Sequence, residues 1–382
     1  MQQVNTATGA PAMAGVEASA SSQRLLGGVW GWGTGGCLAA LYYVGMLIKA
    51  GLRSPDPSAP DFRTVAGFDL AANTRSARRR FLGVDATLNP NDVFIPDSLD
   101  VPLLQGTFAK HASMQRWAKA ITSVPGRIEQ GAGQEPAVGA AFLAHNYEEF
   151  AKFAAAKLAM QRNPDLLHDA TQAGQQPAHG QKARQVNLAT GFGGTGAGTV
   201  GIGALTQRLQ ANQETEIILV ASTQPSEQDA DSNKKLNLVT FLRQLTRAAR
   251  APVRVPGWER ELVNEGRPLI DTIVLVSPET KHLTLGREAV QCAMARAAFE
   301  LLDGDSTVDQ YFRDFETEAA IKGSSGTHGS PRIYQVFGSA DLYIDVGRSR
   351  QMLIDTSRKR LCDRLLNGPA YHQPSATKGG LL

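Results

Sequence analysis

The 382-residue sequence predicts an α/β fold: a parallel sheet covered by helices on both faces, followed by a short C-terminal α+β module. Three observations carry that expectation. Runs that are apolar throughout, such as "TEIILVAST" and "LIDTIVLVSPE", alternate with helical patterns, which marks strands buried on both faces. Two glycine clusters, "GGVWGWGTGG" at Gly27–Gly36 and "GFGGTGAGT" at Gly191–Thr199, each follow a strand and open a helix. Beyond residue 303 the alternation stops.

The elements follow in order. Residues 1–23, rich in Ala, Ser, Thr and Gly, read as a disordered tail. "LLGGVW" reads as a strand, "GCLAALYYVGMLIKAG" as a buried helix, and "RTVAGFDL" as a strand ending at Asp69. A basic patch, Arg75–Arg80, and an irregular Pro-, Asn- and Asp-rich stretch come next; a solvated face is the default for such a patch. "PAVGAAFLAHNYEEFAKFAAAKLAM" reads as one helix opened by Pro136, and "TQAGQQPAHGQKA" as a linker. Then come "QVNLATGF" as strand, "VGIGALTQRLQAN" as helix, "TEIILVAST" as strand, "KKLNLVTFLRQLTRAARA" as helix, "LIDTIVLVSPE" as strand and "LGREAVQCAMARAAFELLDG" as a long helix. "IYQVFGSADLYIDV" reads as strand or hairpin and "RQMLIDTSRKRLCDRLL" as a terminal helix. These boundaries give a main domain at 24–302, a module at 303–368 and a tail at 369–382.

Composition narrows the function. A net charge of +3 does not imply nucleic acid. Three dispersed cysteines, Cys37, Cys292 and Cys362, form no CxxC pair and suit a reducing cytoplasm. The seven histidines, Asp165 and Asp169 show no metal-ligand spacing. Leu25–Ile48 lacks charge over 24 positions, the length of a membrane helix. Its seven glycines favour strand, turn and helix instead, so no integral membrane segment is expected.

Both glycine clusters fall at strand ends, where α/β sheets bind ligands. In "GGTGAGT" four glycines and two threonine hydroxyls exceed what a turn requires and suit a phosphate cradle, although a loose turn is the alternative. The upstream cluster contains GxGxxG at Gly31, Gly33 and Gly36, a dinucleotide fingerprint. The acidic residue that should hold a ribose is poorly placed, with Asp56 in a Pro-rich loop and Asp69 at 33 residues past Gly36. No Walker lysine is present in "GGTGAGT".

"GGTGAGT" resembles the signature loop of the tubulin and FtsZ superfamily, and further motifs match in the same order over residues 25 to about 302. "GWGTGG" is similar to that family's first nucleotide loop and "GAGQEPAVG" to its GAGxxPxxG loop. "TEIILVASTQP" and "DTIVLVSPETKHL" resemble the strands that follow. The resemblance implies a Rossmann-like nucleotide domain, a long central helix, bound GTP or GDP with Mg²⁺, and head-to-tail self-assembly into cytoskeletal filaments. Hydrolysis would be completed by a neighbouring subunit. By carry-over the nucleotide would be held by Gly31, Gly33, Thr34 and Gly35; by Asp69; by Gly131, Ala132, Gly133 and Gln134; and by Gly193, Gly194, Thr195, Gly196, Ala197, Gly198 and Thr199. Pro225 and a base reader, Glu288 being the nearest candidate, complete the set. Asp309, with Asp305 as substitute, occupies the catalytic loop. The family's arginine after GAGxxPxxG is Ala140 here, and "SEQDADSNKK" replaces its ribose loop. A switch protein of the same fold that neither hydrolyses nor polymerises is the alternative, and an NAD-dependent enzyme stands third.

Overall fold

The computed structural model describes most of residues 25–303, together with 334–336 and 354–359; the main stretches left aside within 25–303 are 116–120, 122–127, 176–182, 211–214, 224–231, 249–253, 257–260, 264–268 and 279–284, with single positions such as Gly133. In chain order the elements are β1 (Gly27–Trp32), α1 (Gly33–Lys49), β2 (Thr64–Phe68), β3 (Arg78–Phe81), β4 (Val84–Thr87), β5 (Val93–Phe94), α2 (Val101–Lys110), α3 (Pro136–His145), α4 (Tyr147–Met160) and α5 (Pro164–Gln172). They continue with β6 (Arg184–Thr190), α6 (Gly194–Gln210), β7 (Glu216–Ser222), α7 (Ser232–Ala248), β8 (Arg254–Pro256), β9 (Glu261–Val263), β10 (Thr272–Val276), α8 (Arg287–Leu302) and β11 (Tyr334–Val336).

Among the described residues seven strands form one sheet in the order β11-β10-β7-β6-β1-β2-β5, every neighbouring pair parallel. Alternation along each strand feeds two cores. Trp30 and Trp32 of β1, with Ile217 and Leu219 of β7, point to a layer that contains Phe142, Phe150 and Leu205 of α3, α4 and α6. Val29, Ile218 and Val220 point the other way, to Leu41 and Tyr43 of α1 and Met294 and Ala298 of α8. The expected α/β class with helices on both faces is what the chain adopts, and Leu25–Ile48 is strand plus helix. No helix among the described residues is long and apolar enough to cross a membrane.

Three readings change, and the basic patch gains a detail. The expected single helix over 136–160 is two, because Asn146 leaves helical geometry (φ −97°, ψ 24°) while both its backbone N–H and its side-chain amide bond the Phe142 carbonyl. That is the competition a short amide side chain offers a helix. A further helix, α5, precedes the linker, capped by Asn163 and started by Pro164. Arg75, Arg78 and Arg80 of the basic patch are exposed, and Arg75 also donates to the Val93 and Ile95 carbonyls, bracing β5 from the surface. Finally, β11 pairs with β10 as an edge of the main sheet, and the chain divides after Gly338, well beyond the expected boundary at residue 302. Residues 354–359, within the expected terminal helix, are helical. The two expected tails lie outside the described residues.

Candidate functional site

A cavity of about 340 Å³ opens at the carboxyl ends of β1, β6, β7 and β10. Strand order reverses there: the chain builds from β1 to β2 on one side and from β6 through β7 to β10 on the other, the place where open parallel sheets take ligands. Three segments far apart in sequence form its glycine-rich end: Gly33–Gly35, Gly131–Ala132 with Gln134, and Gly193–Gly196.

They interlock because they lack side chains. Gly33 has φ +67°, and a Cβ there would stand 2.6 Å from the Gly196 nitrogen; one on Gly196 would stand 2.6 Å from the Trp32 carbonyl. The third segment joins through the Ala132 N–H, which donates to Thr195 Oγ1 at 3.2 Å, while Asn237 of α7 donates to the Gln134 carbonyl at 2.5 Å. Thr190 and Ser222, ending β6 and β7, line the space between.

The electrostatics suit an anion. Helices α1 and α6 both begin at the cavity, aiming free N–H groups and the positive ends of their dipoles into it. The residue preceding α1, Trp32, makes no side-chain cap, and neither helix has an acidic residue in its first turn. Lys234 and Arg287 line the wall, and no carboxylate does among the described lining residues. Three buried polar atoms with no partner among the described residues, Gln134 Oε1, Ser222 Oγ and Gln291 Oε1, belong to residues that line this cavity. Unpaired buried polar atoms are few in folded proteins and call for a reason.

Asp69 lies one layer behind. It is fully buried and accepts from Thr34 Oγ1 at 2.8 Å, Thr74 Oγ1 at 2.5 Å and the Leu70 N–H at 2.8 Å. Burial raises its pKa, and these hydrogen bonds oppose the rise. Because Thr34 gives its proton to Asp69, its lone pairs are left for the cavity side. Such a hard oxygen suits Mg²⁺ arriving with phosphates, with Asp69 orienting it from behind. No cluster of three or more His, Cys, Asp or Glu able to hold a metal alone occurs among the described residues.

Of the residues expected from sequence, Gly33, Thr34, Gly35, Gly131, Ala132, Gln134 and Gly193–Gly196 line the cavity. Gly31, Ala197, Gly198 and Thr199 do not. Helix α6 starts at Gly194, so most of the supposed loop is helix. Gly198 packs where a Cβ would be 2.0 Å from the Pro136 carbonyl, and Thr199 donates to the Thr195 carbonyl at 2.8 Å. Glu288 is exposed and off the lining, one residue away from the face that carries Arg287, Val290 and Gln291. Gly133, Pro225, Asp305 and Asp309 lie outside the described residues.

Sequence reasoning missed Thr190, Ser222, Lys234, Arg287 and Gln291. The last two were legible in part, since residues three and four apart share a helix face.

A family model described as "Tubulin like" matches residues 72–363, well over half of the chain, and the protein belongs to that family within the tubulin/FtsZ superfamily. The match begins after the first glycine cluster and Asp69. No curated protein matches. Similar solved structures include a GTPγS-bound protofilament of CetZ2 from Haloferax volcanii, with 13% identity and TM-score 0.40 over 75% of this chain and 62% of that one. Another is a GTPγS-form protofilament of TubZ from Bacillus thuringiensis serovar israelensis, with 13% identity and TM-score 0.41 over 74% and 57%. A third is an FtsZ dimer from M. jannaschii, with 16% identity and TM-score 0.34 over 75% and 57%. This chain spans less than two thirds of each of their lengths.

Proposed function

From membership in that family and from the cavity, we propose that the protein is cytoskeletal: it binds GTP with Mg²⁺ and associates head to tail with copies of itself in the cytoplasm, hydrolysing GTP where two subunits meet. The observation that carries the reading is the convergence of three glycine segments and two helix N-termini on one cavity with two cations and no carboxylate among its described lining residues. The β- and γ-phosphates would lie against the amides of Gly193–Gly196 and Gly33–Gly35, with Gly131–Ala132 closing over the terminal one. Thr34 would supply an oxygen to Mg²⁺, whose chemistry is to neutralise charge building on the transferred phosphoryl group. Asp309 and Asp305, carried over from the family's catalytic loop, would come from the adjoining subunit.

One observation favours the variant reading, in which nucleotide is bound and exchanged without cleavage. The position of the family's arginine after the GAGxxPxxG loop is Ala140, buried within α3 against α6, so that position supplies no cation to the cavity. The two readings separate cleanly. Titration of the full chain with GTP, a light-scattering rise, phosphate release and negative-stain microscopy all positive support assembly with hydrolysis. Tight binding by a persistently monomeric, inactive protein supports the variant. No binding of GTP at millimolar concentration refutes both. The NAD reading lacks its ribose carboxylate: Asp69 is buried behind Thr34, and exposed Asp56 bonds Ser58.

A further inference from the structure

The described residues hold a second pocket, of about 360 Å³, at the other end of the sheet. Its walls are the segment 51–62, which joins α1 to β2, and the face of α5 that carries Leu166, Asp169, Ala170 and, at its C-cap, Ala173. Two charged side chains lining it each hold a buried atom with no partner among the described residues: Arg53 Nη1, on a side chain 7% exposed, and Asp61 Oδ2. Neither atom bonds the other. Asp61 Oδ1 is already engaged, accepting from the Arg63 N–H at 2.9 Å. Arg53 Nη2 stands 4.0 Å from Asp92, whose nearer cation is Lys157 at 2.6 Å, so two cations share that carboxylate and positive charge is left over on the Arg53 side.

We propose that this pocket binds a free α-amino acid with an apolar side chain, its carboxylate taken by Arg53 and its ammonium group by Asp61. The site is separate from the nucleotide reading and does not rest on it. A buried donor and a buried acceptor left open are each costly, and a ligand carrying one charge would satisfy only one of them. An α-amino acid brings both groups on a single carbon. Its carboxylate accepts from Arg53 Nη1, and its ammonium group donates to Asp61 Oδ2, both charge-assisted bonds of the stronger kind. Leu52, Phe62 and Leu166 give the side chain an apolar surface, and the small residues Ala59, Ala170 and Ala173 leave it room. Asp169, exposed on α5, adds negative charge that favours a cationic group over a second anion. The volume lies at the small end of the range for small-molecule sites.

The test is a ligand-observed NMR titration of the full chain with L-leucine and L-phenylalanine, each beside its N-acetyl form, which lacks the ammonium group, and its amide, which lacks the carboxylate. At least one of the two amino acids is expected to saturate with Kd at or below about 1 mM, and its blocked forms to bind about tenfold more weakly. Arg53→Gln should weaken the free amino acid about tenfold and leave the amide unchanged, whereas Asp61→Asn should weaken it similarly and leave the N-acetyl form unchanged. A merely structural role for either residue would not produce that crossover. Ala173→Trp, which fills the pocket from an exposed position and keeps both charges, should abolish binding, with a thermal melt to confirm folding. No saturation by either amino acid up to about 10 mM, a blocked form binding as well as the free one, or wild-type affinity in Ala173→Trp overturns the proposal and leaves the nucleotide reading intact.

Discussion

The cluster that closes the sheet end opposite the cavity permits a worked prediction. Arg63 and Asp303 form an ion pair with both side chains 0% exposed. The guanidinium donates to Asp303 Oδ1 from Nε at 3.2 Å and Nη2 at 2.8 Å, to the Gly27 carbonyl at 3.1 Å and to the Leu302 carbonyl at 3.2 Å. The Tyr43 hydroxyl donates to Asp303 Oδ2. The cluster therefore ties together β1, α1, the start of β2 and the end of α8. Arg63→Met removes four hydrogen bonds and strands a buried carboxylate, so a loss of about 3–5 kcal/mol is expected. Replacing both partners, as Arg63→Met with Asp303→Leu, removes the uncompensated charge and should recover much of that loss. Urea unfolding followed by tryptophan emission is the assay, since Trp30 and Trp32 are fully buried on β1, two and four residues on from Gly28, which pairs with Thr64 at this end. A single variant within about 1 kcal/mol of wild type, or a double variant costing the sum of both singles, would refute the reasoning.

Two glycines in α6 predict opposite signs. Gly198→Ala puts a Cβ 2.0 Å from a backbone carbonyl that cannot rotate away and should cost about 3 kcal/mol, while Gly201→Ala meets nothing within 4 Å and should gain about 1 kcal/mol; thermal melts compare them. Asp69→Asn tests linkage. Because burial raises the native pKa, wild-type stability should fall with rising pH from the unfolded carboxylate value of about 3.9 to the raised native value, and chemical denaturation across that window should lose this slope in the variant. Lys234→Ala and Arg287→Ala should each weaken GTP binding about tenfold at low salt and less at high salt, whereas Glu288→Ala should leave Kd unchanged.

The sheet was legible because strands buried on both faces leave mainly apolar runs: β2, β7 and β10 fall inside the expected stretches, while β1 runs two residues past "LLGGVW" and β6 starts one residue before "QVNLATGF". The cavity's glycine end was legible because glycine clusters at strand ends have a stated physical use. What escaped had weaker local signals. Asn146 breaks a run whose apolar spacing continues past it, so periodicity alone reads one helix. Asn163–Pro164 is a sound start signal, but α5 is short and abuts a Gly- and Pro-rich linker. β11 spans three residues, and only its pairing with β10 identifies it as part of the main sheet. Lys234, Ser222 and Gln291 stand in stretches with no motif of their own; chain topology alone brings them to the same space.

The glycines of "GGTGAGT" require a distinction that the motif conceals. A segment used solely as a phosphate cradle would spend its glycines on close approach to ligand, and substitution would lower affinity while leaving the fold alone. Here only Gly193, Gly194 and Gly196 reach the cavity, and Gly196 also presses on the Trp32 carbonyl. Gly198 accommodates the Pro136 carbonyl, and Gly203, one turn beyond, accommodates the Trp32 ring, where a Cβ would stand 1.8 Å from it. The same helix that offers its N-terminus to an anion therefore has to lie unusually close to α3 and β1. That closeness holds Gly131 and Ala132 beside Thr195. Substitutions along the motif should accordingly separate by position: Gly193→Ala, whose nearest neighbour beyond the chain is the mobile-ended Thr190 hydroxyl at 3.1 Å, should weaken GTP binding with little change in melting temperature. Gly198→Ala should lower melting temperature first and affinity only through it. Equal effects of the two on stability would mean that the segment acts as a packing element throughout, and the cradle reading of its first residues would fall.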